Sequence, residues 1–170
     1  PIHPELSTQH ITALAGTDAD LWVGTVNDGL YRWHAGQLDH AGETEGLPDP
    51  RVLSLASAGT STYVGTPLGV AEFVDGRFAR KLAEGVFANS LGVKDGVLAV
   101  GTLDEGTVAV PLEHVVTHAS RLAQPQVPAV LMDRNISALR VDRTGKVWVG
   151  YFDRGLDILD PGLTHKTHYE

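Results

Sequence analysis

The chain has 170 residues, 42% of them hydrophobic, which is enough to build one domain with a sizeable core and excludes a disordered chain. Its formal net charge of −8 disfavours a broad nucleic-acid or anionic-membrane surface. It contains no Cys, which excludes disulfides, thiolate metal sites and a Cys nucleophile, and no apolar run reaches the roughly 20 residues of a membrane-spanning helix.

Short apolar runs alternate with turn-forming residues along the whole chain. Alternating apolar positions and β-branched residues in runs of this length favour strands over helices. In chain order, the predicted strands are 11–15, 21–25, 30–34 and 36–41, then 52–56, 62–66, 70–74 and 76–81, then 90–93, 98–102, 107–110 and 114–119, then 136–141, 147–151, 156–160 and 162–169.

The second strand of each group carries nearly the same motif. It reads LWVGT at 21–25, TYVGT at 62–66, LAVGT at 98–102 and VWVGY at 147–151. A second glycine follows the motif glycine by four or five residues in every copy, at Gly29, Gly69, Gly106 and Gly155. The unit that repeats is therefore strand, turn, strand, glycine turn and strand, followed by a weaker fourth strand.

Four short strands repeated at about 40 residues are typical of propeller blades. We therefore predict an all-β fold, a β-propeller segment over residues 1–170 that is built of four four-stranded antiparallel blades. The blades are expected at about 9–46, 47–84, 85–119 and 134–170, and residues 120–133 are expected to form an inserted loop. Helical repeats share this period but need long segments with a 3.6-residue pattern, which the sequence lacks.

The motif is expected to repeat because a single blade cannot bury both of its faces. Each sheet must pack on its neighbours, and the same side chains are needed at each contact. Trp22, Tyr63 and Trp148 are accordingly predicted to be buried between adjacent sheets, with Ala99 as the smaller residue at the same position of the third copy.

The repeat resembles that of the two-component regulator propeller family, found in the sensor regions of bacterial regulators, which runs V-x-x-L-x-x-D-x-x-G-x-L-W-V-G-T-x-x-G-G-L. The fourth unit matches best, through Ile136, Leu139, Asp142 and Gly145 followed by VWVG. The resemblance implies a bacterial signal-transduction protein, a periplasmic or extracytoplasmic location, and a ligand-binding sensor without catalysis of its own. It also implies a ring of about seven blades.

The candidate binding residues lie at one end of the predicted blades. In a propeller, the turns between second and third strands and the links between blades reach the same face. Tyr151 is a candidate binding residue because the other copies have Thr at that position. It lies close in sequence to Asp153 and Arg154. The residues predicted to bind are Tyr151, Asp153, Arg154, Asn27, Asp28, Asp104, Glu105, Arg51 and Asn135. The alternative is that these are ordinary solvated turn residues.

Other site chemistry is sparse. His114 and His118 have a spacing seen in metal-binding pairs, but the sequence places no third ligand, so neither a metal nor another cofactor is expected. No nucleophile elbow, phosphate-binding loop or zinc-protease motif is present. Two alternatives to a sensor remain open. They are a protein–protein interaction scaffold and a lyase- or hydrolase-type enzyme with its site on the same rim.

The expected partners follow from this interpretation. The ligand is expected to be a polar small molecule, a saccharide or a peptide; no nucleic acid is expected, and no membrane span in this segment. Because the chain opens on Pro1 without an initiator Met, it is expected to be cut from a longer polypeptide. An arc of four blades would expose an apolar sheet face at each end, so further blades from the same protein or another copy are expected to complete a ring of about seven or eight blades. Two copies would make a ring of eight, and the alternative is a self-closed ring of four.

Overall fold

The computed structural model describes residues 3–112, 131–161 and 166–170. Regular structure in these residues is β-strand throughout, apart from two 3-10 turns at Pro4–Thr8 and Glu43–Glu45. No helix in this described part of the chain is long and apolar enough to cross a membrane. The chain divides into two compact units, an N-terminal unit at Pro1–Ala88 and a C-terminal unit at Asn89–Glu170.

The N-terminal unit contains two four-stranded antiparallel sheets, each with its strands in chain order. Sheet 1 is formed by β1 (Ile11–Thr17), β2 (Asp20–Thr25), β3 (Leu30–His34) and β4 (Gln37–Ala41). Sheet 2 is formed by β5 (Ser54–Ala58), β6 (Ser61–Thr66), β7 (Gly69–Val74) and β8 (Arg77–Leu82).

The C-terminal unit contains a three-stranded and a four-stranded antiparallel sheet in its described residues. Sheet 3 is formed by β9 (Ser90–Lys94), β10 (Val97–Gly101) and β11 (Thr107–Pro111). Sheet 4 is formed by β12 (Ile136–Val141), β13 (Val147–Tyr151), β14 (Leu156–Leu159) and β15 (Lys166–Tyr169). The predicted all-β architecture of antiparallel blades is confirmed. The predicted strand at 114–119, the pair His114 and His118, the inserted loop up to residue 130 and the first residues of the last predicted strand (162–165) lie outside the described residues.

Two-residue turns close the hairpin of the last two strands of sheet 2 and that of the first two strands of sheet 3. Asp75 and Gly76 join β7 to β8 with φ values of 49° and 85°, and Asp95 and Gly96 join β9 to β10 with φ values of 49° and 73°. Positive φ at both central positions is the requirement of a type I′ turn, whose twist matches that of the flanking strands. Asp-Gly is a preferred pair for that geometry, so local sequence sets the register of these hairpins.

The motif glycine permits close approach between successive sheets. A Cβ atom on Gly24 would lie 2.4 Å from Val52 Cγ1, at the entry to sheet 2, and one on Gly101 would lie 2.6 Å from Ile136 Cγ2, at the start of sheet 4. Real Cβ atoms do not approach other atoms this closely, so a side chain would force the backbones apart. At Gly150, in the last sheet of the chain, the nearest atom would be 3.3 Å away. The repeated glycine therefore serves sheet packing where another sheet follows.

The motif aromatics do not all share one environment. Trp22 is 5% exposed and its ring packs against Phe73 of sheet 2, with centroids 5.7 Å apart, and Tyr63 is 3% exposed. Trp148 is 39% exposed, so the prediction that it is buried between sheets is wrong. Trp22 lies on the face of sheet 1 that meets the following sheet, whereas sheet 4 is the last sheet of the described chain. The indole N–H of Trp148 instead donates to Asp142 Oδ2 at 3.0 Å.

Candidate functional site

One end of the N-terminal unit combines the inner turn of sheet 1 with the link into sheet 2. The Gly29 N–H in that turn donates to the carbonyl of Pro50 in the link, at 2.9 Å. Asn27, Asp28 and Arg51, three of the predicted binding residues, are exposed at this end. The structure therefore brings the predicted residues of the N-terminal half to one surface.

Two of these three side chains already have partners. Asp28 Oδ2 accepts hydrogen bonds from the Tyr31 hydroxyl at 2.6 Å and from Gln9 Nε2 at 2.7 Å. Burial of the Tyr31 phenol, reinforced by the Asp28 carboxylate, raises the pKa of Tyr31 to about 12. Arg51 forms a two-pronged pair with Asp49, with contacts of 2.8 and 2.6 Å. A ligand that uses these groups must share or replace those bonds.

The C-terminal unit has a corresponding end, which we call the C-terminal rim. It comprises the inner turn of sheet 3 (103–106), the link into sheet 4 (132–135) and the inner turn of sheet 4 (152–155). The Gly106 N–H donates to the Arg134 carbonyl at 2.9 Å, and Arg154 Nε lies 3.8 Å from Asp133 Oδ2. The link thus contacts both turns, and the predicted residues gathered here are Asp104, Glu105, Asn135, Asp153 and Arg154.

The C-terminal rim exposes apolar and charged side chains side by side. Leu103, Met132 and Phe152 are 36%, 52% and 58% exposed. Exposed acids and arginines flank them, namely Asp104, Glu105, Asp153, Arg134 and Arg154. Asn135 adds a buried Oδ1 with no hydrogen-bond partner among the described residues, an arrangement that normally costs free energy. Such a surface can bind apolar groups and charges of both signs at once. The exposed apolar residues were not singled out from the sequence, although Leu103 directly precedes Asp104 and Phe152 lies between Tyr151 and Asp153.

Tyr151 lies beneath this surface. It is 6% exposed, its hydroxyl donates to Asp157 Oδ2 at 2.5 Å, and it accepts the Met132 N–H at 3.0 Å. The expected exposed hydroxyl is therefore a buried one that is bonded within sheet 4. Burial, reinforced by the hydrogen bond to Asp157, raises the pKa of Tyr151 above its ordinary range. That Tyr151 contributes to ligand binding stays a prediction. The contribution would be indirect, through the hydrogen bond that its hydroxyl accepts from the Met132 backbone of the rim.

Asp157 is the centre of a polar network that sequence reasoning missed. Its side chain is fully buried, and besides the Tyr151 hydroxyl it contacts His168 Nδ1 at 2.7 Å and Lys166 Nζ at 3.6 Å. Burial favours the neutral carboxyl, but the hydrogen bonds from Tyr151, His168 and the Met132 N–H outweigh it and hold the pKa of Asp157 below its usual range. One signal was available: in the run LDIL, Asp157 is two residues from Leu159, so the two side chains share one face of the strand, and the apolar Leu159 indicates that this face is buried.

A cleft of about 330 Å³ lies between sheets 1 and 2, with Trp22, Phe73 and Phe78 among its walls. The guanidinium of Arg32 also lines it, 4.9 Å from the centroid of the Trp22 ring. That guanidinium makes two 2.7 Å hydrogen bonds to the Asp20 carboxylate, so its charge is already paired. The arrangement serves packing between the sheets. Among the described residues, no three His, Asp or Glu side chains are placed to hold a metal ion.

No family model and no curated protein matches the chain. Solved structures do match, and two are extracellular domains from B. thetaiotaomicron. One belongs to the putative one component system BT4673, with a TM-score of 0.70 and 16% identity over 94% of this chain and 25% of that chain. The other belongs to the putative hybrid two component system BT3049, with a TM-score of 0.64 and 14% identity over 95% of this chain and 25% of that chain. The WD40 domain of Neurospora crassa Pan2 also matches, with a TM-score of 0.61 and 14% identity over 99% of this chain and 52% of that chain. The chain thus spans a quarter of the length of these two extracellular domains. At these identities the similarity shows the fold, and the expected likeness to sensor-region propellers is confirmed at that level.

Proposed function

We propose that this chain is part of an extracytoplasmic β-propeller that senses a ligand and passes its state to an attached signalling domain. The observation that carries the proposal is the C-terminal rim, where exposed apolar and charged side chains are mounted on a frame of paired strands. Loops held by a rigid scaffold are where propellers and similar folds place binding residues. The fold shared with extracellular domains of bacterial signalling systems supports the same function.

A short peptide fits the C-terminal rim better than a saccharide. Phe152, Met132 and Leu103 offer apolar contacts, while Arg154 and the neighbouring acids offer pairing for a carboxylate and an amine. A peptide carries all of these groups, whereas a neutral saccharide offers no charge of its own to pair with the charged side chains. Charge-assisted hydrogen bonds are the stronger ones, so they favour the charged ligand.

The test is a nuclear magnetic resonance titration of the isotope-labelled chain with pools of tri- and tetrapeptides and, separately, with a panel of oligosaccharides. We expect peptides to shift the amide signals of the C-terminal rim. Arg154→Ala should reduce the binding at least fivefold. Arg143→Ala is the matched control, because Arg143 is an exposed arginine on the outer β12–β13 turn of the same sheet. Shifts confined to the opposite turns (16–20, 57–61 and 142–145), or equal effects of the two substitutions, would contradict the proposal.

We propose further that additional propeller blades cover the sheet faces that the chain leaves exposed. Ile11 and Leu14 of β1 are 49% and 60% exposed, and Trp148 of β13 is also exposed. Large apolar side chains along a strand face are usually covered by another sheet. Sedimentation equilibrium of the chain alone should show a self-association above 18.1 kDa, with a second copy supplying the blades. A stable 18.1 kDa monomer with cooperative unfolding would instead favour a ring closed within the chain.

A further inference from the structure

One row of side chains, which runs across the first three strands of a sheet, differs sharply in size between sheets 1 and 3. Across sheet 1, the register aligns Ala15 of β1, Trp22 of β2 and Arg32 of β3. Across sheet 3, the corresponding residues of β9, β10 and β11 are Gly92, Ala99 and Ala109. Two of the largest side chains are therefore replaced by two of the smallest, on the face that meets the following sheet.

The facing sheets show the same difference. In the N-terminal unit, Phe73 of sheet 2 packs against Trp22, and Phe73 pairs with Thr62 across β6 and β7. The corresponding pair in sheet 4 is Val147 and Leu159. Sheet 4 thus adds no bulk that compensates for the alanines of sheet 3.

A cleft of about 220 Å³ lies between sheets 3 and 4, at the level of these small residues. Sheet 3 contributes Ala99 and Ala109 to its wall, and sheet 4 contributes mainly branched aliphatic side chains, namely Leu139, Val141, Val147, Val149 and Leu159. Packed interiors rarely leave such a space, because unfilled volume forfeits dispersion contacts. The cleft lies between sheet faces and involves none of the residues of the C-terminal rim.

The charged groups at the edge of the cleft are already paired, whereas the buried Thr107 Oγ1 in its wall has no hydrogen-bond partner among the described residues. Lys94 Nζ contacts the Asp95 carboxylate at 2.8 Å and the Pro161 carbonyl at 2.5 Å. The remaining wall is predominantly apolar, which favours an uncharged ligand. A cavity of about 150 Å³ lined by apolar side chains stays dry and binds benzene, so a volume of this size suits one or two fused rings.

We propose that the cleft between sheets 3 and 4 binds a small uncharged aromatic molecule, of the size of indole. Its ring would lie against Ala99, in the position that the indole ring of Trp22 takes between sheets 1 and 2. The internal repeat supplies the template, since in the N-terminal unit an aromatic side chain stands at the position of Ala99 and packs against the following sheet. This site is separate from the rim and does not depend on the proposed sensing of a peptide.

The experiment uses the chain with alanine methyl groups labelled and indole as the probe. We expect indole to shift the methyl signals of Ala99 and Ala109 saturably. The methyl of Ala138 is the internal reference, because Ala138 is exposed on the opposite face of sheet 4 and should not move. No shift at Ala99 and Ala109, or shifts at Ala138 alone, would overturn the proposal.

Three substitutions distinguish a ligand site from a space that binds nothing. Ala99→Trp should fill the cleft and weaken indole binding at least tenfold, and Ala99→Phe provides a second filling variant should the larger one fail to fold. Ala138→Trp adds the same side chain on the other face and should leave the affinity within twofold of wild type. If Ala99→Phe raises the melting temperature while the wild-type chain shows no indole binding, the cleft is filled by the chain itself and the proposal is wrong.

Discussion

Replacing Trp22 with alanine is expected to destabilise the N-terminal unit by about 3–5 kcal/mol, the usual range for truncating a buried aromatic side chain. Trp22 is 5% exposed and belongs to a core cluster with Leu30, Val52 and Phe73. Its ring also lies under the guanidinium of Arg32. The substitution therefore removes apolar burial, an aromatic pair and a cation–π contact together, and leaves a cavity between sheets 1 and 2.

Urea unfolding followed by far-ultraviolet circular dichroism measures this loss as a shift of the transition midpoint. Trp148→Ala is the matched control, since it removes the same side chain from the equivalent position of the fourth motif. Because Trp148 is 39% exposed in the single chain, its truncation should cost about 1 kcal/mol or less when the melts are run at concentrations that keep the chain monomeric. Similar losses for the two variants would show that a further sheet covers Trp148 in solution or that Trp22 does not carry the packing assigned to it.

The second large effect is expected at Asp157, where Asp157→Asn should cost about 3–5 kcal/mol, as breaking one partner of a buried ionic cluster does. The carboxylate is fully buried and is contacted by Tyr151, His168 and Lys166. An amide of the same shape cannot accept a hydrogen bond at both terminal atoms, and it leaves the Lys166 charge without its counterion. Asp153→Asn is the control, an exposed carboxylate in the neighbouring turn that should change stability by less than about 0.5 kcal/mol.

The lowered pKa of Asp157 makes the free energy of unfolding depend on pH in the acid range. Its pKa is lower in the folded chain than in the unfolded chain, where an Asp titrates near pH 3.9, about the value of model peptides. As pH falls, the unfolded state therefore binds the proton first. The contribution of Asp157 to the free energy of unfolding is complete above about pH 3.9 and is lost as pH drops through the folded-state pKa. Melts between pH 2 and pH 7 should show this decline below about pH 5 in the wild type and a flatter profile in Asp157→Asn. An unchanged profile would place the acid sensitivity in other carboxylates.

Most strands were predictable from the sequence because their information is local. Strands β3, β12 and β13 begin and end where the apolar alternation predicts them, and Asp-Gly pairs mark two of the hairpins. Other strands differ from the prediction by one or two residues at an end, and β5 is displaced by two residues at both ends, predicted at 52–56 and found at Ser54–Ala58. The Val52 N–H donates to the Thr25 carbonyl of the preceding sheet, at 2.9 Å. This hydrogen bond between sheets takes the Val52 N–H away from pairing within sheet 2. Strand β5 therefore begins later than the alternation of apolar residues predicts.

By itself the sequence determined that the chain is all-β, that it repeats as blades, and which turns lie at the candidate rim, because turn residues and two-residue periodicity act over a few neighbouring positions. Only the tertiary structure decided which side chains are buried. Trp22 and Trp148 share a motif position but differ in exposure, since burial depends on whether another sheet lies against that face. Tyr151 is withdrawn from the rim because Asp157 of the adjacent strand accepts its hydroxyl. Contacts of this kind join residues whose separation in sequence carries no pattern, so their energies become visible only when the sheets are packed.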